Sequence, residues 1–278
     1  DRVGGQPGDI EEVIHATTIA TNAVLEGKGA PTALVTTRGF RDIVEIGRLR
    51  IPELYNLNYE KPVPLARRRH RFEVSERLAA DGSVLAAVNE NEVAEVARTI
   101  AAAGIKAVAV SFLHSYANRA HEDAVGAILE RNLPDDVYIT KSVDVLPEIR
   151  EYERTSTVVV NAYLGPVVKS YLLSLARRLK QAGISAPLSV MQSNGGAIGA
   201  EAATEIPASI IESGPAAGVI AAASVGKACG YANIITIDMG GTTAKAAMIE
   251  EGEPTRTTEY EVGAGINLSS KLVKGGGH

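Results

Sequence analysis

The sequence predicts an α/β protein, on three observations. Short apolar runs alternate with segments of helical period, as strand–helix–strand units require. One run, Ile105 to Leu113, is apolar almost throughout, the pattern of a strand covered on both faces. Glycine or proline marks nearly every passage from one element to the next.

The elements follow in order. Thr32 to Thr37 reads as a strand that ends at Arg38-Gly39, with a short helix through Phe40 to Val44 behind it. Residues 54–90 break the rhythm. Pro62, Pro64, the basic run Arg67 to Arg71 and Asp81-Gly82 read as an irregular insertion with a β-hairpin, the basic run being a solvated strand or hairpin. Asn91 to Ala103 has helical apolar spacing and stops at Gly104. After the strand at Ile105 to Leu113 come a helix over about 118–131, stopped near Pro134, and a strand at Asp136 to Thr140. Arg150 to Gln181 is long and helical, broken or kinked at Gly165-Pro166. Leu188 to Gln192 and Ile206 to Ile211 read as strands. Ser213-Gly214-Pro215 opens a helix of very small residues closed by Gly230, with proline at the start and glycine past the end.

Composition narrows the partners. Apolar residues make up 45% of the 278, enough for one large domain or two smaller ones. A formal net charge of −5 gives no footprint for nucleic acid or for an anionic membrane. No apolar run reads as a membrane span and no secretory leader opens the chain, so a cytoplasmic location is expected. The lone Cys229 excludes an internal disulfide and reads as a small buried thiol near a helix end.

The chemistry concentrates between Asn233 and Ile249. Two apolar strands flank Gly240-Gly241, with Asp238 at the end of the first and Thr242, Thr243 after the glycines. Glycines in a tight turn expose successive amides, and the lack of Cβ lets an anion approach. Thr242 and Thr243 add hydroxyl donors. Asp238 is placed to hold Mg²⁺, directly or through water, against phosphates. A Walker loop is excluded because no Gly-Lys-Ser/Thr opens a helix, and a dinucleotide fingerprint because a strand follows the glycines. An ordinary primed hairpin turn is the plain alternative.

A linking helix followed by a phosphate hairpin resembles the actin, hexokinase and chaperone ATPase superfamily, in which two ribonuclease-H-like lobes close on ATP. The likeness narrows over His15-Ala-Thr-Thr18-Ile-Ala-Thr21-Asn22, Leu34 to Asp42, Leu146 to Thr157, Met191-Gln-Ser-Asn194-Gly195-Gly196, Glu212 to Gly218 and Asp238-Met-Gly-Gly-Thr242. Together these stretches resemble the ATP-dependent hydantoinase, oxoprolinase and acetone-carboxylase family. The resemblance implies a first ribonuclease-H-like lobe over 1–212 with its insertion at 54–90. It also implies a linking helix over 213–230 and the start of a second lobe over 231–278. It implies ATP and Mg²⁺ as cofactors and a cyclic amide (hydantoin, N-methylhydantoin or 5-oxoproline) whose oxygen is phosphorylated before ring opening. A hydantoinase B-type partner subunit follows, and homo-oligomerisation is left open. An acetone or aryl-ketone carboxylase and a non-catalytic, partner-binding actin-like lobe are the alternatives. The family's first hairpin and its adenosine-contacting motif are not found within the chain, so it is expected to be a fragment without activity of its own.

The candidate site residues are therefore Asp238, Lys245 and His15 for catalysis, with Asp238 also the metal candidate. Gly240, Gly241, Thr242, Thr243, Gly214, Gly218, Asn194 and Gly195 are candidates for the cofactor. One departure stands out: the family's hairpin commonly reads Gly-Gly-Thr-Ser-Thr-Asp, and here Thr243-Ala244-Lys245 fill the last three places. A lysine steadies phosphate as a point charge but holds no metal. His15 has a structural role as its alternative, as does His114 at the end of the apolar strand. The hairpin at 233–249 is also a candidate partner for the sheet around Val35.

Overall fold

The computed structural model describes residues 5–48, 55, 57–58, 62–240, 244–255, 260–262 and 266–268. The chain divides into two compact units, one holding residues up to Lys28 and again Val167–Tyr260, the other Gly29–Pro166. It enters the first unit with β1 (Val13–His15) and α1 (Ile19–Leu25).

The second unit then forms without interruption. Its elements are β2 (Thr32–Thr37), α2 (Ile43–Ile46), β3 (Arg71–Val74), β4 (Arg77–Leu78), β5 (Val84–Ala86), α3 (Glu90–Ala102), β6 (Ala107–Ser111), α4 (Ala120–Asn132), β7 (Tyr138–Lys141) and α5 (Ser142–Val145). The sheet order is β3-β2-β6-β7, all parallel. β2 leads to one side and β6 to the other, so the strand order reverses between them, and a crevice is expected at their carboxyl ends. Asn89 caps α3 by accepting from Glu92 N at 3.3 Å, and Glu90 and Glu92 suit the positive end of the helix. Val93, Ala97 and Ile100 form its buried stripe and pack with Val108, Val110, Val125 and Leu129.

Residues 54–90 contribute more to this sheet than an insertion would. Arg71–Val74 is a strand paired with β2, and only β4 and β5 make a hairpin. The basic run is not a solvated strand. Arg68–His70 forms a 3-10 turn, and Arg71 is buried, donating from Nε to Ala66 O and from its guanidinium to Glu45.

Next comes α6 (Glu151–Gln181), which runs on through Pro166 as one helix and supplies both units. Proline there removes one backbone bond without ending the helix. Gly165 is needed for another reason: a Cβ would lie 2.4 Å from the Tyr138 ring. By length and composition α6 is apolar enough to cross a membrane, contrary to the expectation that no run would be, and 56% of that stretch is buried inside the protein.

The first unit resumes with β8 (Leu188–Met191), β9 (Ala197–Gly199), α7 (Ala200–Glu205), α8 (Ser213–Cys229), β10 (Ile234–Met239), β11 (Ala244–Glu250) and β12 (Glu253–Pro254). β8 pairs in parallel with β1 and antiparallel with β9. The expected strand at 206–211 is a 3-10 turn, Pro207–Ile210. Proline presets its φ, and Ser209 bonds back to Ile206 O through both N and Oγ. A short buried apolar run reads alike in either conformation. Cys229, the last residue of α8, is exposed rather than buried, because the helix end projects past its packing partners. β10, β11 and β12 form a sheet of their own, while the neighbours of β2 are β3 and β6, so the hairpin does not pair with the sheet around Val35.

Candidate functional site

In the first unit, the start of α8 brings together the candidates Gly214, Gly218 and Lys245. Ser213 Oγ accepts from Thr17 N at 3.2 Å and donates to Thr17 O at 2.8 Å. Glu212 N donates to Thr21 Oγ1 at 3.0 Å. Gly214 is a packing glycine, since its Cβ would stand 3.2 Å from Thr18 Cγ2. Gly218, one turn on, faces open space. The segment from His15 to Asn22 is thus sewn to the opening of the small-residue helix by bonds that span about two-thirds of the sequence, and Glu212 is held in the left-handed region (φ 66°) by them.

The hairpin is tied to the same place. Asp238 and Lys245 are register partners on β10 and β11, and the pairing reaches Met239–Ala244. Lys245 turns its ammonium onto the Glu212 carboxylate, and burial lowers its pKa. Asp238 is exposed and has no hydrogen-bond or ion-pair partner among the described residues. As a free hard-oxygen donor beside Gly240 it fits a Mg²⁺ that draws its other ligands from water and phosphate. Gly241, Thr242 and Thr243 lie outside the described residues. No cluster of three or more metal-binding side chains occurs among the described residues.

Asn194 and Gly195 form the turn between β8 and β9. Gln192 N donates to Gly196 O at 2.7 Å, Asn194 Oδ1 accepts from Gly196 N at 2.8 Å, and Gly195 takes φ 88°. The Asn194 oxygen is thereby used within the turn. A Cβ on Gly195 would meet Ile220 Cδ1 of α8 at 2.7 Å, so the turn rests on that helix. His15, the last residue of β1, places Nε2 2.8 Å from the hydroxyl of Tyr171 on α6, and burial lowers its pKa. Thr17, Thr18, Ile19, Val167 and Tyr171 line an open cleft of about 410 Å³ in this unit.

His114 belongs to the second unit and is not brought to these residues. It follows β6 at φ 60°, edge-on to Tyr116, with Nδ1 buried and unpartnered among the described residues. The carboxyl ends of β2 and β6 also carry a polar network that the sequence did not disclose. Thr37 Oγ1 accepts from Leu113 N at 3.0 Å and donates to Glu76, whose other oxygen lies 2.7 Å from His121 Nδ1. Glu122, fully buried, accepts from Phe112 N, Val143 N and Ser142 Oγ. Arg154, from α6, donates to Phe112 O and Glu148 O. Nothing in the spacing of these residues announces the network, which joins positions scattered from Thr37 to Arg154.

The fold of the chain is of the ribonuclease-H-like, actin-type ATPase class. Two profiles of one family match the chain: the hydantoinase/oxoprolinase N-terminal region over residues 1–133 and hydantoinase/oxoprolinase over residues 154–275. The chain belongs to this hydantoinase/oxoprolinase family, which comprises ATP-dependent amidohydrolases and carboxylases. It is 47% identical to an uncharacterized protein of Methanocaldococcus jannaschii, over 97% of this chain and 40% of that one. The crystal structure of the ATP-dependent caprolactamase of Pseudomonas jessenii superposes with a TM-score of 0.83 at 32% identity, covering 95% of this chain and 38% of that one. The nucleotide-free structure of an acetone carboxylase gives a TM-score of 0.83 at 29% identity, covering 94% and 38%. The chain therefore spans about two-fifths of the length of such relatives.

Proposed function

We propose that this chain supplies a phosphate-handling part of an ATP-dependent enzyme that activates the carbonyl of a cyclic amide for ring opening. The observation that carries the reading is the Lys245–Glu212 contact, which ties the Met239–Ala244 end of the β10–β11 hairpin to the residue that precedes α8. The end of the hairpin at Met239 and Ala244 and the start of α8 are thereby joined, and a helix start favours an anion. Asp238, opposite Lys245, is the carboxylate for Mg²⁺. In this reading the protein positions the terminal phosphoryl group and offsets its charge, while the phosphorylated amide oxygen becomes the leaving group. The subunit names of relatives, such as caprolactamase subunit alpha and acetophenone carboxylase gamma subunit, support a requirement for a partner chain of the hydantoinase B type. The domain reading of a first lobe, a linking helix and the start of a second lobe belongs to the same proposal.

Calorimetry with Mg-ATP on the whole protein carrying this chain tests it. Gly241→Val is expected to abolish the nucleotide heat by placing a side chain where phosphate must approach. Unchanged affinity in that variant removes the hairpin from the site. The likeness to acetone carboxylase supports a carboxylase as the second reading, and bicarbonate-dependent ATP hydrolysis distinguishes it.

A further inference from the structure

None of the residues lining the cleft beside β1 and α1 belongs to the hairpin at 233–249, and the lining has a definite chemical character. Its size, about 410 Å³, lies within the range of small-molecule sites, roughly 300–1,000 Å³. The only charged residues lining it are Glu26 and Lys28, which neutralise each other in an ion pair at 2.5 Å. Ile19, Ala23 and Val167 give it apolar surface, while Thr17, Thr18 and Tyr171 bring hydroxyl-bearing side chains to it. A lining without net charge, part aliphatic and part polar through its hydroxyls and the Asn22 amide, suits a neutral compact molecule with one strong acceptor.

The polar part of the wall is held in advance. Tyr171 OH is fixed by His15 Nε2 at 2.8 Å, with the two rings 5.7 Å apart, and His15 is fixed by the pairing of β1 with β8. The loop carrying Thr17 and Thr18 is pinned by Ser213, and Gly214 lets it lie close to α8. When imidazole Nε2–H donates to the phenol oxygen, the phenol O–H is released to donate outward. In that tautomer the pair is a preset hydrogen-bond donor for a carbonyl oxygen. Donors preset in this way lower the cost of binding.

We propose that this cleft binds a small neutral carbonyl compound, an amide foremost, with the Tyr171 hydroxyl donating to the carbonyl oxygen and His15 positioning that hydroxyl. The inference rests on the reading of the chain as part of an amide-activating enzyme and names where the amide is held. Tyr171 is then a substrate-binding residue and His15 a positioning residue.

The test is a titration of the whole chain, without nucleotide, by saturation-transfer NMR. The probes are ε-caprolactam and 2-pyrrolidinone, with tetrahydropyran as a ring that lacks the carbonyl. Both lactams are expected to bind and tetrahydropyran to bind far more weakly. Tyr171→Phe is expected to weaken the lactams about tenfold, the worth of one neutral hydrogen bond. Val167→Trp is expected to abolish binding by filling the cleft, and Glu95→Gln, on the exposed face of α3, to leave it unchanged. Circular dichroism establishes that each variant is folded, and the conservative Tyr171→Phe decides the matter should Val167→Trp unfold. Absence of lactam binding to the folded wild type overturns the inference, as does wild-type affinity in Tyr171→Phe. Mg-ATP calorimetry on the whole protein separates the two readings. Nucleotide heat with no effect at Tyr171 sinks the cleft alone, whereas lactam binding without nucleotide heat sinks the ATP reading alone.

Discussion

β6 and β10 are both short strands of aliphatic residues, yet Val108 on β6 is wholly buried while Ile235 and Ile237 on β10 are 72% and 74% exposed. The difference is one of cover. β6 has strands on both sides, with α3 and α4 packed against the face that Val108 and Val110 present. β10 has α8 against one face only, where a Cβ on Gly226 would meet Ile234 Cδ1 at 2.0 Å. Successive strand residues point to opposite faces, so Ile234 and its register partner Ile249 are covered, while Ile235 and its partner Met248 are not. An apolar strand thus states a need for cover without stating which element provides it.

The sharpest way to break this comparison is one substitution at each place. Val108→Lys is expected to cost about 4 kcal/mol or more, since an unpaired charge would enter a closed core. Ile237→Lys is expected to change stability by no more than about 0.5 kcal/mol. Urea unfolding of both variants measures the gap, and equal losses would mean that β10 is covered in solution.

A second change probes the polar part of the covered region. Burial pushes the Glu122 carboxyl up, while its hydrogen bonds from Phe112 N, Val143 N and Ser142 Oγ favour the anion. Glu122→Leu leaves those donors without an acceptor and is expected to cost about 3 kcal/mol in the same unfolding experiment. A neutral result would show that the network is dispensable to the sheet.

A smaller effect than at Glu122 belongs to the surface of α4. The Arg119 guanidinium, followed by Lys141, holds the Asp123 carboxyl down at about 2. A depressed carboxyl contributes stability above its unfolded pKa of about 3.9, and the contribution is lost as pH falls toward 2. Asp123→Asn is expected to cost less than about 1 kcal/mol near neutrality, because the pair is partly exposed. Melting temperatures between pH 5 and pH 2 should converge for the variant and the wild type; parallel curves would remove the pair from the acid response.

Legibility followed the range of the forces involved. The helix at Glu90–Ala102 was readable because its apolar spacing and its stop at Gly104 are local. The two strands of the hairpin at 233–249 were readable for the same reason, as adjacent apolar runs. Pro207–Ile210 was misread as strand because burial, not period, made it apolar. Arg71 was misread as solvated because its acceptors, Ala66 O and Glu45, lie in other elements. In the candidate site, His15 and Lys245 were singled out by type, but the partners that hold them, Tyr171 and Glu212, were not. His15 and Tyr171 stand 156 positions apart, a separation that leaves no periodic trace.

By itself the sequence determined the helices at Glu90–Ala102 and Glu151–Gln181, the two strands of the hairpin and the family motifs, because these are written in residues a few positions apart. Only the tertiary structure decided that β2 lies between β3 and β6, that Glu212 receives Lys245, and that Tyr171 completes the cleft at His15. Those pairings depend on which surfaces meet after the chain has folded, and burial and charge neutralisation act there between residues that the linear order keeps far apart.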